Sequence, residues 1–434
     1  MKRLALLLVV ATSILASNSI DTAFQKFWNA RNPNEAAKAI GDIAKSGVTF
    51  EEALRRLKAG RSYDAQKAGV ILASNRTEDG VEHHYAIGIP DSYDPSRKYQ
   101  VRFQLHGGVG GRDTNQPRGT GAIGALAGDE QIYVLPYAWN RAPWWSDDQV
   151  LNLNAIVDSL KRTYNVDENR VVVSGVSDGA TGAYFIAMRD TTPFASFLPL
   201  NGSTMVLTSN GIDDGKIFPN NFLNKPMFVV NGGLDPLYPA GKIEPWIDHL
   251  AAGGVDISYN PQPQGAHNTS WWPVVKGPFE EFARDHPREP HPDRLTWETA
   301  DLVHNRAHWL VIDKIGAQPG DTKTFVDLNV WGSTNPAMKF SGAANAIFVR
   351  ETPAGRADAV RKGNTIEVKS KGVAAFTLLI SPDRFDLSRP IAVTANGRTV
   401  FEGRVQPSLE TLLKWAARDN DRTMLYAAEI KIKL

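Results

Sequence analysis

The sequence predicts an α/β protein with a mostly parallel central sheet, a short helical segment before it and a small β-sandwich after it. Between residues 65 and 286, apolar runs typical of buried strands alternate with segments of helical periodicity, which is the pattern of a parallel sheet. Beyond residue 287 the pattern changes to alternating apolar and polar residues. The 434 residues, of which 42% are hydrophobic, are enough for two or more domains.

Residues 1–19 have the pattern of an export signal. Lys2-Arg3 is a short basic region, Leu4 to Val10 is an apolar core, and Ala11 to Ser19 is rich in small residues suited to cleavage. The apolar core is too short to span a bilayer, and no other stretch approaches the required length. We therefore expect a secreted or periplasmic protein without a membrane span. The absence of cysteine excludes disulfides and is compatible with either location.

Residues 20–64 are expected to form a helical segment that packs against the surface of the domain that follows. Three short helices are predicted, at residues 21–30, 33–46 and 49–59. The last of them begins with a capping box formed by Thr49 and Glu52.

The domain predicted over residues 65–286 contains eight strand candidates. They lie near residues 69–75, 81–89, 99–105, 131–136, 170–176, 196–201, 226–232 and 255–260. Val150 to Tyr164 has apolar residues at helical spacing, as expected of a crossover helix between parallel strands.

Residues 287–434 predict a β-rich domain, separated from the preceding one by a linker with prolines at positions 287, 290 and 292. Thr365 to Lys369 alternates as a strand does. Asn396-Gly397 stands between two such runs and predicts a tight hairpin, because its turn needs positive backbone angles. A helix at 407–418 and a strand at 424–434 complete the chain.

Ser177 is the candidate nucleophile. It lies at the centre of Gly175-Val176-Ser177-Asp178-Gly179, after the apolar run Val171 to Val173 and before the helix-compatible stretch Ala180 to Arg189. In a strand-to-helix turn this tight, side chains two residues either side of the serine would collide with the neighbouring strand and helix, so glycine is needed there. The flanking strand and helix are the context that gives this short motif its meaning.

A nucleophilic serine needs a base, and the base needs a carboxylate that orients it. Asp235 follows the predicted strand that begins at Pro226 and is the candidate acid, although simple turn chemistry with Pro236 is an alternative. Asp213 and Asp214 remain open as acids, but neither directly follows a clear strand. His267, in the loop after the last predicted strand, is the candidate general base, and a solvated loop histidine is the alternative.

The turn His106-Gly107-Gly108 follows a predicted strand and is a candidate source of oxyanion donors. The backbone N–H of Gly108 or Val109 and that of Asp178 are the candidate groups for stabilising a tetrahedral intermediate. His106 is expected to order this turn and is also counted among the candidate substrate contacts.

These motifs, with Ser, Asp and His in that order along the chain, resemble those of secreted serine hydrolases of the α/β-hydrolase superfamily. The similarity lies near the bacterial esterases related to polyhydroxybutyrate depolymerases and prolyl-oligopeptidase-like hydrolases, over roughly residues 65 to 286. It implies an α/β-hydrolase fold and hydrolysis of carboxylic esters through an acyl-enzyme, without a cofactor. A serine peptidase with the same machinery is one alternative. A surface-binding protein with an inactive hydrolase domain is another.

The tryptophan pairs Trp144-Trp145 and Trp271-Trp272 are the candidate substrate contacts, because they fall in or beside predicted loops. The alternative is that these rings pack the loops against the core. The segment from Gly202 to Lys225 is too short for a large lid, so we expect an open cleft that suits a bulky or polymeric ester.

Other functions are disfavoured by the sequence. With a net charge of +1 there is no nucleic-acid footprint. His304 and His308 are not expected to bind metal, because on a predicted strand their side chains would lie roughly 13 Å apart. Gly119 to Gly124 matches the letters of a dinucleotide fingerprint, but no strand precedes it, and a flexible helix start is the better interpretation.

Overall fold

The structure is a computed structural model that describes residues 19–77, 80–115, 126–209, 211–321, 323–325 and 345–434. The predicted export signal up to residue 18 and the segment Gly119 to Gly124 lie outside the described residues. In the described part of the chain, no helix is both long and apolar enough to cross a membrane.

The centre of the molecule is an eight-stranded sheet in the order β1-β2-β4-β3-β5-β6-β7-β8. The strands are β1 Gly69–Arg76, β2 Glu82–Ile89, β3 Tyr99–Leu105, β4 Ile132–Pro136, β5 Val166–Val176, β6 Ser196–Leu200, β7 Met227–Val229 and β8 Ile257–Tyr259. Strand β2 runs antiparallel to both of its neighbours, and the pairs from β4 to β8 are parallel. Each predicted strand overlaps one of these, and the arrangement is that of an α/β-hydrolase.

Helices cover both faces of this sheet, as its parallel strands require. They are α4 Asp147–Thr163, α5 Asp178–Arg189, α6 Ala240–Ala252 and α7 Trp272–Asp285. Successive residues of β5 point to opposite faces. Val171 and Val173 join the core beneath α4, α5 and α6, whereas Val172 joins a second core beneath α7. The crossover helix predicted at Val150 to Tyr164 is α4.

The N-terminal helices share a core with a helix from the other end of the chain. They are a helical stretch over residues 19–28 (α1), α2 Pro33–Lys45 and α3 Phe50–Ala59, and their partner is α8 Leu409–Asp419. Their buried apolar residues pack on Leu412 and Leu413 of α8. The sequence-based expectation was that they would pack against the surface of the α/β domain. Polar contacts connect these helices to the α/β domain; for example, Arg162 of α4 donates to the Ala30 carbonyl at 2.8 Å. At the start of α3, the Glu52 N–H donates to Thr49 Oγ1, which is one half of the predicted capping box, whereas the Glu52 carboxylate accepts from Arg55 and Arg56 instead.

The C-terminal part contains two sheets that pack around one core, as a β-sandwich does. One sheet has the order β10-β11-β16-β19 and the other β18-β17-β15-β14-β9. The strands of these two sheets are β9 Arg294–Thr299, β10 Arg306–Ala307, β11 Leu310–Ile315, β14 Gly355–Lys362, β15 Thr365–Lys371, β16 Val373–Ile380, β17 Ile391–Ala395, β18 Arg398–Gly403 and β19 Ala428–Lys433. The remaining strands, β12 Lys323–Phe325 and β13 Asn345–Ile347, pair with each other in a separate two-stranded sheet. The hairpin at Asn396-Gly397 has the expected positive angles, φ 49° and 78°. The domain boundaries at 19, 64 and 286 remain predictions.

His304 and His308 do not share a strand, contrary to the sequence-based interpretation. β11 begins only at Leu310, and His308 lies in the preceding turn with φ 48° because the chain reverses there between β10 and β11. Nε2 of His308 lies 2.9 Å from Lys225 Nζ, whereas Nε2 of His304 lies 3.3 Å from Asp147 Oδ1. His304 and His308 therefore make contacts with different partners.

The hydrogen bond between Lys225 and His308 joins the α/β core to the β-sandwich. Lys225 is 4% exposed, and Nδ1 of His308 donates to the Pro290 carbonyl, so its Nε2 accepts from the lysine. Burial lowers the pKa of Lys225 well below its ordinary value, and the charge of Arg288 acts in the same direction. Burial also lowers the pKa of His308. The folded protein therefore favours neutral forms of both groups.

Replacing Lys225 with Met should change how stability depends on pH. The unfolded lysine keeps its proton up to a pKa of about 10.4, whereas the folded one releases it well below that. The free energy of unfolding of the wild type should therefore rise, relative to Lys225→Met, as the pH increases from neutral towards the unfolded pKa, with a slope of at most about 1.4 kcal/mol per pH unit. Urea unfolding across that range measures it. The exposed Lys242→Met is the control, and parallel profiles for wild type and Lys225→Met would contradict the argument.

Candidate active site

Ser177 lies where β5 ends and α5 begins, in a conformation that a non-glycine residue rarely adopts. Its φ is 57° and its ψ is −118°. A Cβ atom at Gly175 would lie 2.1 Å from the Gly179 carbonyl oxygen, and one at Gly179 would lie 2.1 Å from the Leu105 carbonyl oxygen. Both positions accept glycine alone, as the sequence motif predicts. The turn leaves the Ser177 side chain partly exposed at the carboxyl end of the sheet.

The structure brings together the three residues that the sequence singled out. Ser177 Oγ lies 3.0 Å from His267 Nε2, and His267 Nδ1 lies 2.8 Å from Asp235 Oδ2. Asp235 lies in the loop that follows β7 along the chain, and His267 lies in the loop after β8. These distances are those that a nucleophile, a base and an orienting acid require.

Asp235 is held by three hydrogen bonds. It is 2% exposed, and its Oδ1 accepts the N–H groups of Leu237 and Tyr238 at 2.8 and 3.0 Å. Burial alone would raise the pKa of this carboxyl, but the bonds from His267, Tyr238 and Leu237 outweigh it and lower the pKa below the ordinary value. The carboxylate stays ionised beside the imidazole. Of the alternatives, Asp213 pairs with Arg350 at 3.0 Å instead.

The His106-Gly107-Gly108 turn lies directly against the candidate nucleophile, since a Cβ at Gly107 would be 2.9 Å from the Ser177 Cβ. His106 orders the turn as predicted. Its Nδ1 donates to the Gly107 carbonyl at 2.9 Å, and its Nε2 accepts the Ala138 N–H at 3.1 Å. Burial lowers the pKa of His106 to about 4, so the ring is neutral and both bonds persist at neutral pH.

The three candidate oxyanion donors differ in their surroundings. The Val109 N–H donates to Asp178 Oδ2 at 2.7 Å, so it is engaged within the protein. The Asp178 N–H is at the first position of α5, where a helix offers no internal acceptor and the helix dipole adds positive potential. Gly108 has φ 67° and turns the chain beside Ser177. Gly108 and Asp178 therefore remain the better candidates.

Three of the four tryptophans proposed as substrate contacts are buried. Trp144 is 0% exposed and donates from Nε1 to the His106 carbonyl at 2.8 Å, so it helps to hold the turn that carries candidate oxyanion donors. Trp271 and Trp272 are 6% and 5% exposed and belong to the core beneath α7. These three are therefore not available as substrate contacts, because their rings are buried in the core, which is the alternative that the sequence left open. Trp145 is half-buried against the main core and remains a candidate.

Two exposed leucines lie beside Asp235, the candidate acid, and were not identified from the sequence. Leu234 and Leu237 are 62% and 50% exposed, and they flank the buried Asp235. The Tyr238 ring lies 5.7 Å from the His267 ring. Large apolar side chains exposed next to a reactive centre are a signal for ligand contact. The sequence indicated the loop but not which of its residues face outward.

Comparison with protein-family models gave no match. Among curated proteins, the chain is similar to a probable feruloyl esterase C of Aspergillus terreus, with 23% identity over 158 residues, 35% of this chain and 58% of that protein. It is also similar to feruloyl esterase C of Emericella nidulans, with 27% identity over 158 residues, 35% of this chain and 57% of that protein. The chain thus spans less than two thirds of the length of these relatives.

Similar solved structures include a thermostable esterase, with 22% identity and a TM-score of 0.41, covering 50% of this chain and 63% of that one. Another is a ferulic acid esterase, with 15% identity and a TM-score of 0.38, covering 50% and 98%. A third is dipeptidyl peptidase 4 of Porphyromonas gingivalis, with 14% identity and a TM-score of 0.41, covering 54% and 37%. The assignment to the α/β-hydrolase fold rests on the sheet order and the turn at Ser177.

Substituting Gly179 by Ala should lower the reactivity of Ser177, the candidate nucleophile. The added Cβ meets the Leu105 carbonyl, so the turn must shift, and a displacement of about 1 Å can cost on the order of 100-fold in reactivity. The rate at which a fluorophosphonate labels Ser177 measures this loss. Gly277→Ala in α7, where nothing lies within 4 Å of the new Cβ, should label at the wild-type rate. Equal rates for both variants would show that the close approach is not required.

Proposed function

We propose that this protein hydrolyses carboxylic esters through an acyl-enzyme intermediate. The observation that carries the proposal is the continuous chain of hydrogen bonds from Ser177 through His267 to Asp235, at 3.0 and 2.8 Å. The curated relatives named feruloyl esterases support ester hydrolysis as the reaction class. The export pattern of residues 1–19 adds a secreted or periplasmic location to the proposal.

In the acylation step, Ser177 Oγ attacks the ester carbonyl carbon while His267 Nε2 takes the hydroxyl proton. The carbonyl oxygen becomes an oxyanion that accepts hydrogen bonds from the Gly108 and Asp178 N–H groups, each typically worth about 3 kcal/mol of barrier. Asp235 stabilises the imidazolium that forms. The bond to the alcohol oxygen then breaks, and His267 returns the proton to that oxygen.

In the deacylation step, a water molecule takes the place of the departed alcohol. His267 Nε2 removes a proton from the water, and the hydroxide attacks the acyl carbon on Ser177. The tetrahedral intermediate collapses, the serine oxygen leaves with the proton from His267, and the carboxylic acid is released. Every proton is carried by residues of this chain, so the proposal includes no cofactor.

The surroundings of Ser177 favour a bulky apolar acyl group. The segment between Gly202 and Lys225 contains two short 3-10 helices in its described residues, Thr204–Thr208 and Pro219–Asn224. Ser177 is partly exposed, as an open cleft requires. The exposed Leu234 and Leu237 provide apolar surface next to the acid, and the relatives' name, feruloyl esterase, describes an aromatic acyl group.

Turnover of an ester panel tests the reaction class. Ser177→Ala should lower kcat on p-nitrophenyl and feruloyl esters by roughly 10⁴- to 10⁶-fold, and Asp235→Asn by about 10⁴-fold, because the amide favours the wrong histidine tautomer. Asp214→Asn, which removes an alternative acid, should retain wild-type activity. Cleavage of peptide anilides alone would favour a peptidase. No Ser177-dependent turnover of esters or anilides would favour a binding protein with an inactive hydrolase domain.

Substitution of the exposed leucines tests the acyl group. Leu234→Ser and Leu237→Ser should each lower kcat/KM for long or aromatic acyl esters by about 5- to 30-fold, because part of a leucine's transfer free energy is lost. Acetyl esters should be affected little. Val274→Ser on α7, where the side chain is 73% exposed, is the matched control. Equal losses on acetyl and aromatic esters would contradict a role in acyl recognition.

A further inference from the structure

Two buried asparagines stand at the ends of neighbouring strands beside the candidate triad. Asn201 directly follows β6, and Asn231 follows the end of β7 by two residues. Both are 0% exposed. Burial of an amide is costly unless it is hydrogen-bonded, so their partners indicate what they stabilise.

Asn201 contacts the loops that carry the other two members of the triad. Its Oδ1 accepts the Gly232 N–H at 3.2 Å, three residues before Asp235. Its Nδ2 donates to the Asn268 carbonyl at 2.7 Å, in the residue directly after His267. The backbone before Asn201 also holds the nucleophile, since the Ser177 N–H donates to the Leu200 carbonyl at 3.0 Å.

Asn231 closes the other side of the acid loop. Its Nδ2 donates to the Gly202 carbonyl at 3.1 Å and to the Tyr238 carbonyl at 3.3 Å. Tyr238 in turn donates its N–H to Asp235 Oδ1 at 3.0 Å. The two amides thus connect the segments after β6, β7 and β8 to one another.

Side-chain bonds supplement the backbone here, because backbone pairing stops short of His267. β7 and β8 have three residues each, and the backbone bonds between the segments that follow them end with the Leu234 N–H donating to the Gly265 carbonyl at 2.9 Å, two residues before His267. The segments approach closely: a Cβ at Gly232 would lie 2.4 Å from the Gly265 carbonyl oxygen, and one at Gly202 would lie 2.5 Å from the Ala180 Cβ in α5. Asn201 uses both the donor and the acceptor of its amide, and an ionised aspartate would supply no donor.

We propose that Asn201 and Asn231 are positioning residues that set the distances from Ser177 to His267 and from His267 to Asp235. The proposal rests on the proposed function, because it concerns the same reaction. Neither asparagine touches the substrate. Asn201 fixes the peptide after His267 and the start of the acid loop, and Asn231 fixes the end of that loop. The reaction depends on these distances, since an error of about 1 Å in the reacting geometry can cost on the order of 100-fold.

The test compares Asn201 with a buried asparagine far from the site. Asn221 is also 0% exposed and also cross-links two segments, because its Nδ2 donates to the Met188 and Glu298 carbonyls. Glycine is the substitution at both positions, since Asn201 has φ 49° and glycine tolerates that conformation. Asn201→Gly should lower kcat on acetyl p-nitrophenyl ester by about 10- to 100-fold with KM within about 3-fold of wild type. Asn221→Gly should lower the melting temperature but leave kcat unchanged.

A second pair of variants covers the case in which Asn201→Gly does not fold. Asn231→Ala should lower kcat by about 10-fold relative to Asn221→Ala, again with little change in KM. Wild-type kcat in the folded Asn201 and Asn231 variants, or an equal loss in the Asn221 variants, would overturn the proposal.

The labelling rate of Ser177 by a fluorophosphonate separates this proposal from the proposed function. If the wild type hydrolyses no ester but is labelled, the reaction class fails, and slower labelling in Asn201→Gly still supports the positioning role. If the wild type is neither active nor labelled, Ser177 is not a positioned nucleophile and both proposals fail.

Discussion

The backbone conformation of Ser177 is the constraint on which the rest of the site depends. At φ 57° the chain leaves β5 and enters α5 within a single residue, and neighbouring segments must approach it without side chains in between. Gly179 lies against the Leu105 carbonyl, and Gly107 lies against Ser177 itself. The end of β3 and the start of α5 therefore hold each other by direct backbone contact, and the loops that carry Asp235 and His267 are placed relative to this rigid centre.

The parts of the chain outside the central sheet are joined to it by buried charges. Asp421 accepts from Arg288 at 2.7 Å and lies 3.3 Å from Lys161, and all three side chains are buried. Arg288 also donates to the Thr192 carbonyl, which follows α5. Removal of one member of such a buried group leaves an uncompensated charge, which commonly costs 3–5 kcal/mol. The β-sandwich is thus fixed to the α/β core rather than only tethered through the chain.

The tryptophans were harder to interpret from the sequence than the residues of the candidate triad. A tryptophan in a loop can be an exposed substrate contact or can be buried, and nothing in the neighbouring sequence distinguishes the two. Trp144 is buried because its ring packs on His106, which is 38 residues earlier in the chain. Leu234 and Leu237 show the opposite case, because they are exposed although leucine is commonly buried. In both cases the outcome depends on which distant segments lie alongside.

By itself, the sequence determined the strands of the central sheet, the strand-to-helix turn at Ser177 and the identity of Asp235 and His267 as its candidate partners. The strands and the turn depend on local periodicity and on steric limits within a few residues, so they can be recognised along one segment. The two partners were identified from their positions after predicted strands and from the order of Ser, Asp and His along the chain. Only the tertiary structure decided that the Val109 N–H is taken by Asp178, 69 residues away, and that Asn201 links the loops after β7 and β8. Hydrogen bonds between distant residues exist only once the sheet order has brought β3 beside β5 and β6 beside β7, and that order is a property of the whole fold.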